Sequence, residues 1–149
     1  MANVFDVAKY ILSKTGDLTT MKLQKLVYYS LAWHATWEDE KLFPEPIEAW
    51  INGPICPALF FMHKGKFSVS DIDINGNISK LSENQKESID IVLDYYGDKT
   101  SQWLSDLTHA EDPWKQARVG LSPTQRGNNE ITLGSMVEYY SNIPHENDI

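Results

Sequence analysis

Thr19-Thr20-Met21-Lys22-Leu23-Gln24-Lys25-Leu26-Val27-Tyr28-Tyr29-Ser30-Leu31-Ala32-Trp33-His34 is the stretch whose reading decides the fold. It predicts one helix from about Thr20 to Trp37, with the hydroxyl of Thr19 or Thr20 as N-cap. At about 100° per residue, Leu23, Leu26, Val27, Ser30, Leu31, Trp33, His34 and Trp37 cover one broad arc, which Met21, Tyr28 and Ala35 widen. A narrow polar strip of Lys22, Lys25, Tyr29, Ala32 and Thr36 is left for solvent. A helix that is apolar over most of its circumference is buried, not laid on a surface. At about 1.5 Å per residue it is roughly 27 Å long, the width of a small domain. The expected fold is mainly α: a single compact helical domain over residues 1–149, wrapped around this central helix.

Upstream, Asn3 is an N-cap with Asp6 in the first turn, and Phe5, Ala8, Ile11 and Leu12 repeat at helical spacing until Gly16 closes the helix. The short link through Asp17 and Leu18 makes this helix a packed neighbour of the central one. Downstream, Leu42-Phe43-Pro44-Glu45-Pro46 must be extended, because each proline bars its predecessor from the α region. Ile47–Ile51 fits a short strand or one helical turn, Asn52–Pro57 a rigid turn, and Pro57 the first position of a helix reaching His63. Residues 66–79 alternate polar and apolar and contain Asn75-Gly76, so a small β-ribbon or an ordered loop fits there. Ser82 and Gln85 form a capping box that starts a helix at Glu83, and Gly97 ends it. Thr100 or Ser101 caps a helix carrying Trp103, Leu104 and Leu107, and Asp112-Pro113 reads as N-cap and first residue of the next. Residues 120–129 are loop by composition, Ile131–Tyr140 is a final helix capped at Thr132, and a tail from about 144 to 149 is expected to fray.

Composition narrows the function classes. Thirteen basic against twenty-one acidic residues leave a formal charge of −8, the wrong sign for a nucleic-acid footprint. With no apolar run of membrane-span length and no signal-peptide pattern at the N-terminus, neither a membrane nor export is expected. The lone Cys56 excludes an internal disulfide and fits a reducing, cytoplasmic compartment.

Catalytic motifs are largely absent: there is no Walker loop, GxGxxG or GxSxG. His34, His63, His109 and Cys56 lie apart without zinc-ligand spacing, so no metal and no cofactor is expected. His34 sits in the apolar arc and reads as a hydrogen-bonded core histidine. Cys56, between prolines one residue and two residues away, reads as small buried packing. Thr108-His109-Ala110-Glu111-Asp112-Pro113-Trp114 concentrates functional groups. It admits two readings: a small enzyme with His109 and Glu111 as an acid–base couple beside Trp114 and with help from Cys56, or a helix junction whose polar groups satisfy backbone. On the helix from Glu83, the side chains Glu83, Glu87, Asp90 and Asp94 fall within about 60° of one another. Like charges four residues apart repel, and a basic partner would relieve them.

Four segments in order resemble a known family. They are Phe5–Leu12 followed by Leu18–Tyr29, with Gln24 and Tyr28; Glu48-Ala49-Trp50 with Asn52-Gly53-Pro54-Ile55; Leu107-Thr108-His109; and Asp112-Pro113-Trp114. Together they are similar to the Panacea domain of SocA-like antitoxins, also found in phage-associated proteins; the family more often has an aromatic or aliphatic residue where Asn52 stands. The resemblance implies a helical antitoxin that neutralises a cognate protein toxin, normally encoded beside it, by direct binding. It also implies an alternative role as an adaptor that delivers a client to a Clp-type cytosolic protease. The candidate partner contacts are Lys22, Lys25, Tyr29, Glu83, Glu87, Asp90 and Asp94. The motif residues Gln24, Tyr28, Trp50, Gly53, Pro54, Thr108, His109, Pro113 and Trp114 are expected to be structural.

Overall fold

Asn3 starts the first helix by a reciprocal cap. Its side-chain oxygen accepts from the Phe5 and Asp6 N–H groups, and the Asp6 carboxylate accepts from the Asn3 N–H. The computed structural model describes residues 1–143, so the expectation of a frayed tail at 144–149 lies outside the described residues. Helix α1 runs over Val4–Thr15 and ends at Gly16, whose positive φ of 78° suits a residue without a Cβ. The second oxygen of Asp6 accepts from the Asn77 N–H at 2.7 Å. That contact draws Gly76 so close to α1 that a Cβ there would lie 2.5 Å from the Phe5 carbonyl oxygen. Asn75-Gly76 is therefore a close crossing of two backbones and not the hairpin turn its composition suggested.

Four residues, the last two forming β1 (Leu18–Thr19), join α1 to the central helix α2 (Thr20–Glu38), with the Thr19 hydroxyl accepting from the Lys22 N–H. The chain then forms β2 (Ile47–Trp50), β3 (Gly53–Ile55) and α3 (Pro57–His63), where Pro57 takes the position at which a missing N–H costs nothing. Strand β4 (Ser68–Val69) pairs antiparallel with β1, Leu18 opposite Val69, so the ribbon expected over 66–79 finds its partner outside that segment. Two 3-10 turns, Asp71–Asp73 and Ile78–Lys80, lead to α4 (Glu83–Tyr96), which begins at the Ser82–Gln85 capping box. Then follow α5 (Ser101–Ala110), α6 (Asp112–Ala117), β5 (Glu130–Ile131) and α7 (Leu133–Ser141).

The second sheet has the order β3-β2-β5, all antiparallel. Residues 53–55 are thus a strand, where the double proline context pointed to a rigid turn, and Ile131 is paired against Ile47 instead of opening the last helix. Proline is admissible in β3 because that strand is the sheet's edge, where one row of donors has no ladder partner. Leu107, Trp114 and Leu133 pack from outside on the core that α1, α2, α4 and the sheet enclose.

Helix α2 is buried around its whole circumference from Leu23 to Ala35. Helices α1, α4, α5 and α7 pack against it, and strand β3 covers the side that the wheel left polar. The fold is mainly α around a buried central helix. Leu26 is 0% exposed at its centre. Leu26→Ala should therefore cost about 2–5 kcal/mol of unfolding free energy, read as a lower urea midpoint at unchanged slope.

Candidate functional site

Six of the motif residues, Trp50, Gly53, Pro54, Thr108, His109 and Trp114, converge on the β2–β3 hairpin. Trp50 lies opposite Gly53, and Gly53 has φ of +120°, a conformation that side chains disfavour. There is also no space: a Cβ on Gly53 would lie 2.6 Å from Lys25 Cε and 3.0 Å from Thr108 Oγ1. The hairpin runs between α2 and α5 with only a hydrogen atom's clearance.

Its carbonyls are taken by side chains from four other parts of the chain. Arg118 Nη1 donates to the Ala49 carbonyl at 2.9 Å, Trp114 Nε1 to Trp50 at 2.8 Å, and His109 Nε2 to Ile51 at 2.8 Å. Ser105 Oγ donates to Asn52 at 2.9 Å, and Lys25 Nζ to Pro54 at 3.5 Å. Because a carbonyl only accepts, His109 carries a proton on Nε2. Its ring lies 4.2 Å from that of Trp114, edge to face, and the Arg118 guanidinium lies 5.1 Å from the centre of the Trp114 ring. Arg118 also donates to the carbonyls of Ser122 and Gln125, which ties the 120–129 loop to the sheet.

Lys25 is fully buried, and among the described residues its one hydrogen bond is the long one to Pro54. Burial lowers its pKa to about 7. One turn further along α2, the Tyr29 hydroxyl donates to Glu111 Oε1 at 2.8 Å, and the Tyr140 hydroxyl donates to the same oxygen at 2.8 Å. With its proton so engaged, Tyr140 accepts from the Tyr28 hydroxyl at 3.0 Å. Burial pushes the Glu111 carboxyl up to about 7, against the pull of the two tyrosine donors. The same burial raises all three tyrosines above their ordinary value, so they stay neutral donors.

Several expected contacts are placed differently. Lys25 and Tyr29 are buried, not solvent-facing, because β3 and α5 close over the polar strip. Lys22 is half-buried and donates to the Gly97 carbonyl at 2.7 Å, which caps the C-terminal end of α4. Lys25 and Tyr29, at 0% exposure, are out of reach of a protein docking from outside. Glu83, Glu87 and Asp94 are exposed on α4, and Asp90 is half-buried with Tyr10 donating to it. The two members of the possible acid–base couple are committed elsewhere, His109 to the hairpin and Glu111 to the tyrosines.

Other polar residues of the core are likewise satisfied. Gln24 pairs with the backbone of Cys56, its oxygen accepting from the N–H at 2.8 Å and its amide donating to the carbonyl, and the amide also donates to His63 Nε2. Burial lowers the His63 pKa, so the ring is held neutral as that acceptor. Cys56 is buried and its thiol is raised to about 11 by desolvation, which makes it a poor nucleophile. His34 lies between Ser88 Oγ at 2.8 Å and Glu40 Oε1 at 2.8 Å. A carboxylate cannot donate, so Nε2 carries a proton and donates to Glu40. No group of three His, Cys, Asp or Glu side chains able to hold a metal is present among the described residues.

Arg118, Ser105 and Tyr140 belong to this junction without having been singled out in the sequence. Arg118 follows an amphipathic turn in a Gly-rich context and looks like a surface cation. Only the pairing of β2 with β5 brings the Ala49 carbonyl to it.

Three measurements test the junction. Gly53→Ala should destabilise by at least the roughly 1–3 kcal/mol of a strained backbone position, with the clash against Lys25 added, seen as a fall in Tm. The stability contribution of Glu111, whose pKa is raised, is full below about 4.5 and is lost as pH climbs to about 7. Glu111→Gln should flatten urea-unfolding stability across that window. Lys25, whose pKa is lowered, contributes stability above about 10.5 that is lost as pH falls to about 7. Lys25→Met should remove that alkaline limb and leave the protein no less stable at pH 7.

Comparison with known proteins gives one result. Residues 23–115, which carry α2, the hairpin and the α5–α6 junction, match the family described as antitoxin SocA-like, Panacea domain. No curated protein and no solved structure matches the chain. Since the matched segment is more than half of the chain and contains the helix, the hairpin and most of the groups that cap it, the protein belongs to the SocA-like Panacea-domain family of antitoxins.

Proposed function

We propose that this protein is an antitoxin that acts as one Panacea domain in the cytoplasm and neutralises a cognate protein toxin by direct binding. Membership of the antitoxin family supports the class of activity. The observation that carries the mode of action is the outward face of α4, where Glu83, Glu87 and Asp94 are exposed. Among the described residues only Lys86 lies within ion-pair distance of any of the three, 3.9 Å from Glu83. Like charges one turn apart cost a few tenths of a kcal/mol each, and a basic surface on a partner would relieve that repulsion while steering the two together. The buried, mutually satisfied groups of the hairpin junction serve as the frame that holds this face.

The test is co-expression with the neighbouring open reading frame. The neighbour alone should arrest growth, and this protein should restore it and co-purify with the neighbour's product. A neighbour that is harmless by itself, or that remains lethal beside this protein, would overturn the proposal.

A further inference from the structure

Helix α4 carries two parallel rows on its outward side. One row is acidic, Asp90, Asp94 and then Asp98 just beyond the helix end. The other runs through Glu87, Ile91 and Tyr95, each one turn after the last. Ile91 is 45% and Tyr95 46% exposed, so two large apolar side chains stand in solvent beside the acids.

The opposite flank of the acidic row is a groove. A surface depression of about 560 Å³ lies between the end of α4 and the last turn of α1, with Leu93 and Gly97 and the three aspartates on one side and Lys14 and Thr15 on the other. Its walls are held in place. Tyr10 donates to Asp90 at 2.8 Å and Lys22 to the Gly97 carbonyl at 2.7 Å. Lys14, the one cation in the groove, lies 5.4 Å over the Tyr10 ring, and Lys99 sits 3.8 Å from Asp98. Asp94 has no cation within ion-pair distance among the described residues. With Asp98 paired to Lys99 and Asp90 bonded to Tyr10, Asp94 is left for a basic side chain to meet, and Leu93, which lines the groove beside it, suits the stem of a long one.

We infer that this face of α4 is the docking site for a basic amphipathic segment of the partner, with an arginine or lysine side chain in the groove beside α1 and apolar side chains laid on Ile91 and Tyr95. The assignment rests on the antitoxin reading, which makes the segment part of the toxin. Charge complementarity selects a basic occupant, and the apolar pair at helical spacing selects an amphipathic one. Fixed walls lower the ordering cost of binding, so the groove acts as the anchor and the apolar pair as the platform around it.

The experiment uses the purified full-length protein and the purified product of the neighbouring open reading frame, with titration calorimetry at two salt concentrations. Asp94→Lys/Asp98→Lys and Ile91→Ser/Tyr95→Ser should each weaken Kd at least tenfold. The salt dependence should shrink in the charge variant alone. Phe67→Ser, which removes an 82% exposed side chain on the β4 side of the molecule, is the control and should bind like the unaltered protein. Circular dichroism verifies each variant's fold, and if the apolar variant fails to fold the charge variant decides. Complex formation by the unaltered protein with no loss in the charge variant, or with the loss at Phe67→Ser instead, overturns the docking site and leaves the antitoxin reading intact. Failure of the unaltered protein to bind at all removes the antitoxin reading, and the docking site with it.

Discussion

A run of backbone carbonyls from Ala49 to Pro54 needs hydrogen-bond donors, and the arrangement of the rest of the chain follows from supplying them. Part of this backbone lies outside any ladder: β5 reaches only as far as Glu48, residues 51–52 are the turn, and β3 is the sheet's edge and carries a proline. Here Lys25 comes from α2, Ser105 and His109 from α5, Trp114 from α6 and Arg118 from the turn after it. Each donor belongs to an element whose position is thereby fixed relative to the hairpin. The price is two cations in the interior, Lys25 and Arg118, both facing carbonyl oxygens and not carboxylates. Glu111 complements them with the opposite solution, a buried acid facing hydroxyl groups.

The helices were legible because their signals are local. Asn3, Thr19, Ser82, Thr100 and Thr132 each mark a helix start by a side chain that bonds a backbone group a few residues away. The central helix was legible from its periodicity. Its polar strip was misread because a helical wheel shows which residues differ and not what lies beyond them. Lys25 and Tyr29 are polar on α2 because they meet the polar edge of a hairpin and the carboxyl of Glu111, both distant in sequence. Position 112 shows the same effect on a smaller scale: the N-cap of α6 is Glu111, one residue earlier than the Asp-Pro pair suggests, and its side chain points into the tyrosine cluster. The strands were the least legible part, because two- and three-residue strands have too few positions for alternation and exist only through their partners.

This division assigns different work to the two sides of α2. Toward the hairpin the family motifs supply packing and hydrogen bonds, and their chemistry is spent on one another. Toward α4 the core joins the apolar packing of Ile89 and Val92 to hydrogen bonds from Trp33 to Tyr96 and between His34 and Ser88, and the exposed residues of α4 take no part in either.

The hairpin also sets the order in which the chain can finish folding on the ribosome. Its strands are made early, but the donors for the Ala49 to Asn52 carbonyls lie between Ser105 and Arg118. Until that later stretch has left the exit tunnel those oxygens have only water as partner, and Lys25 has no sealed pocket to enter. The junction therefore closes only once α5 and α6 have been made, and β5 and α7, which pair with β2 and pack on α2, complete the core later still.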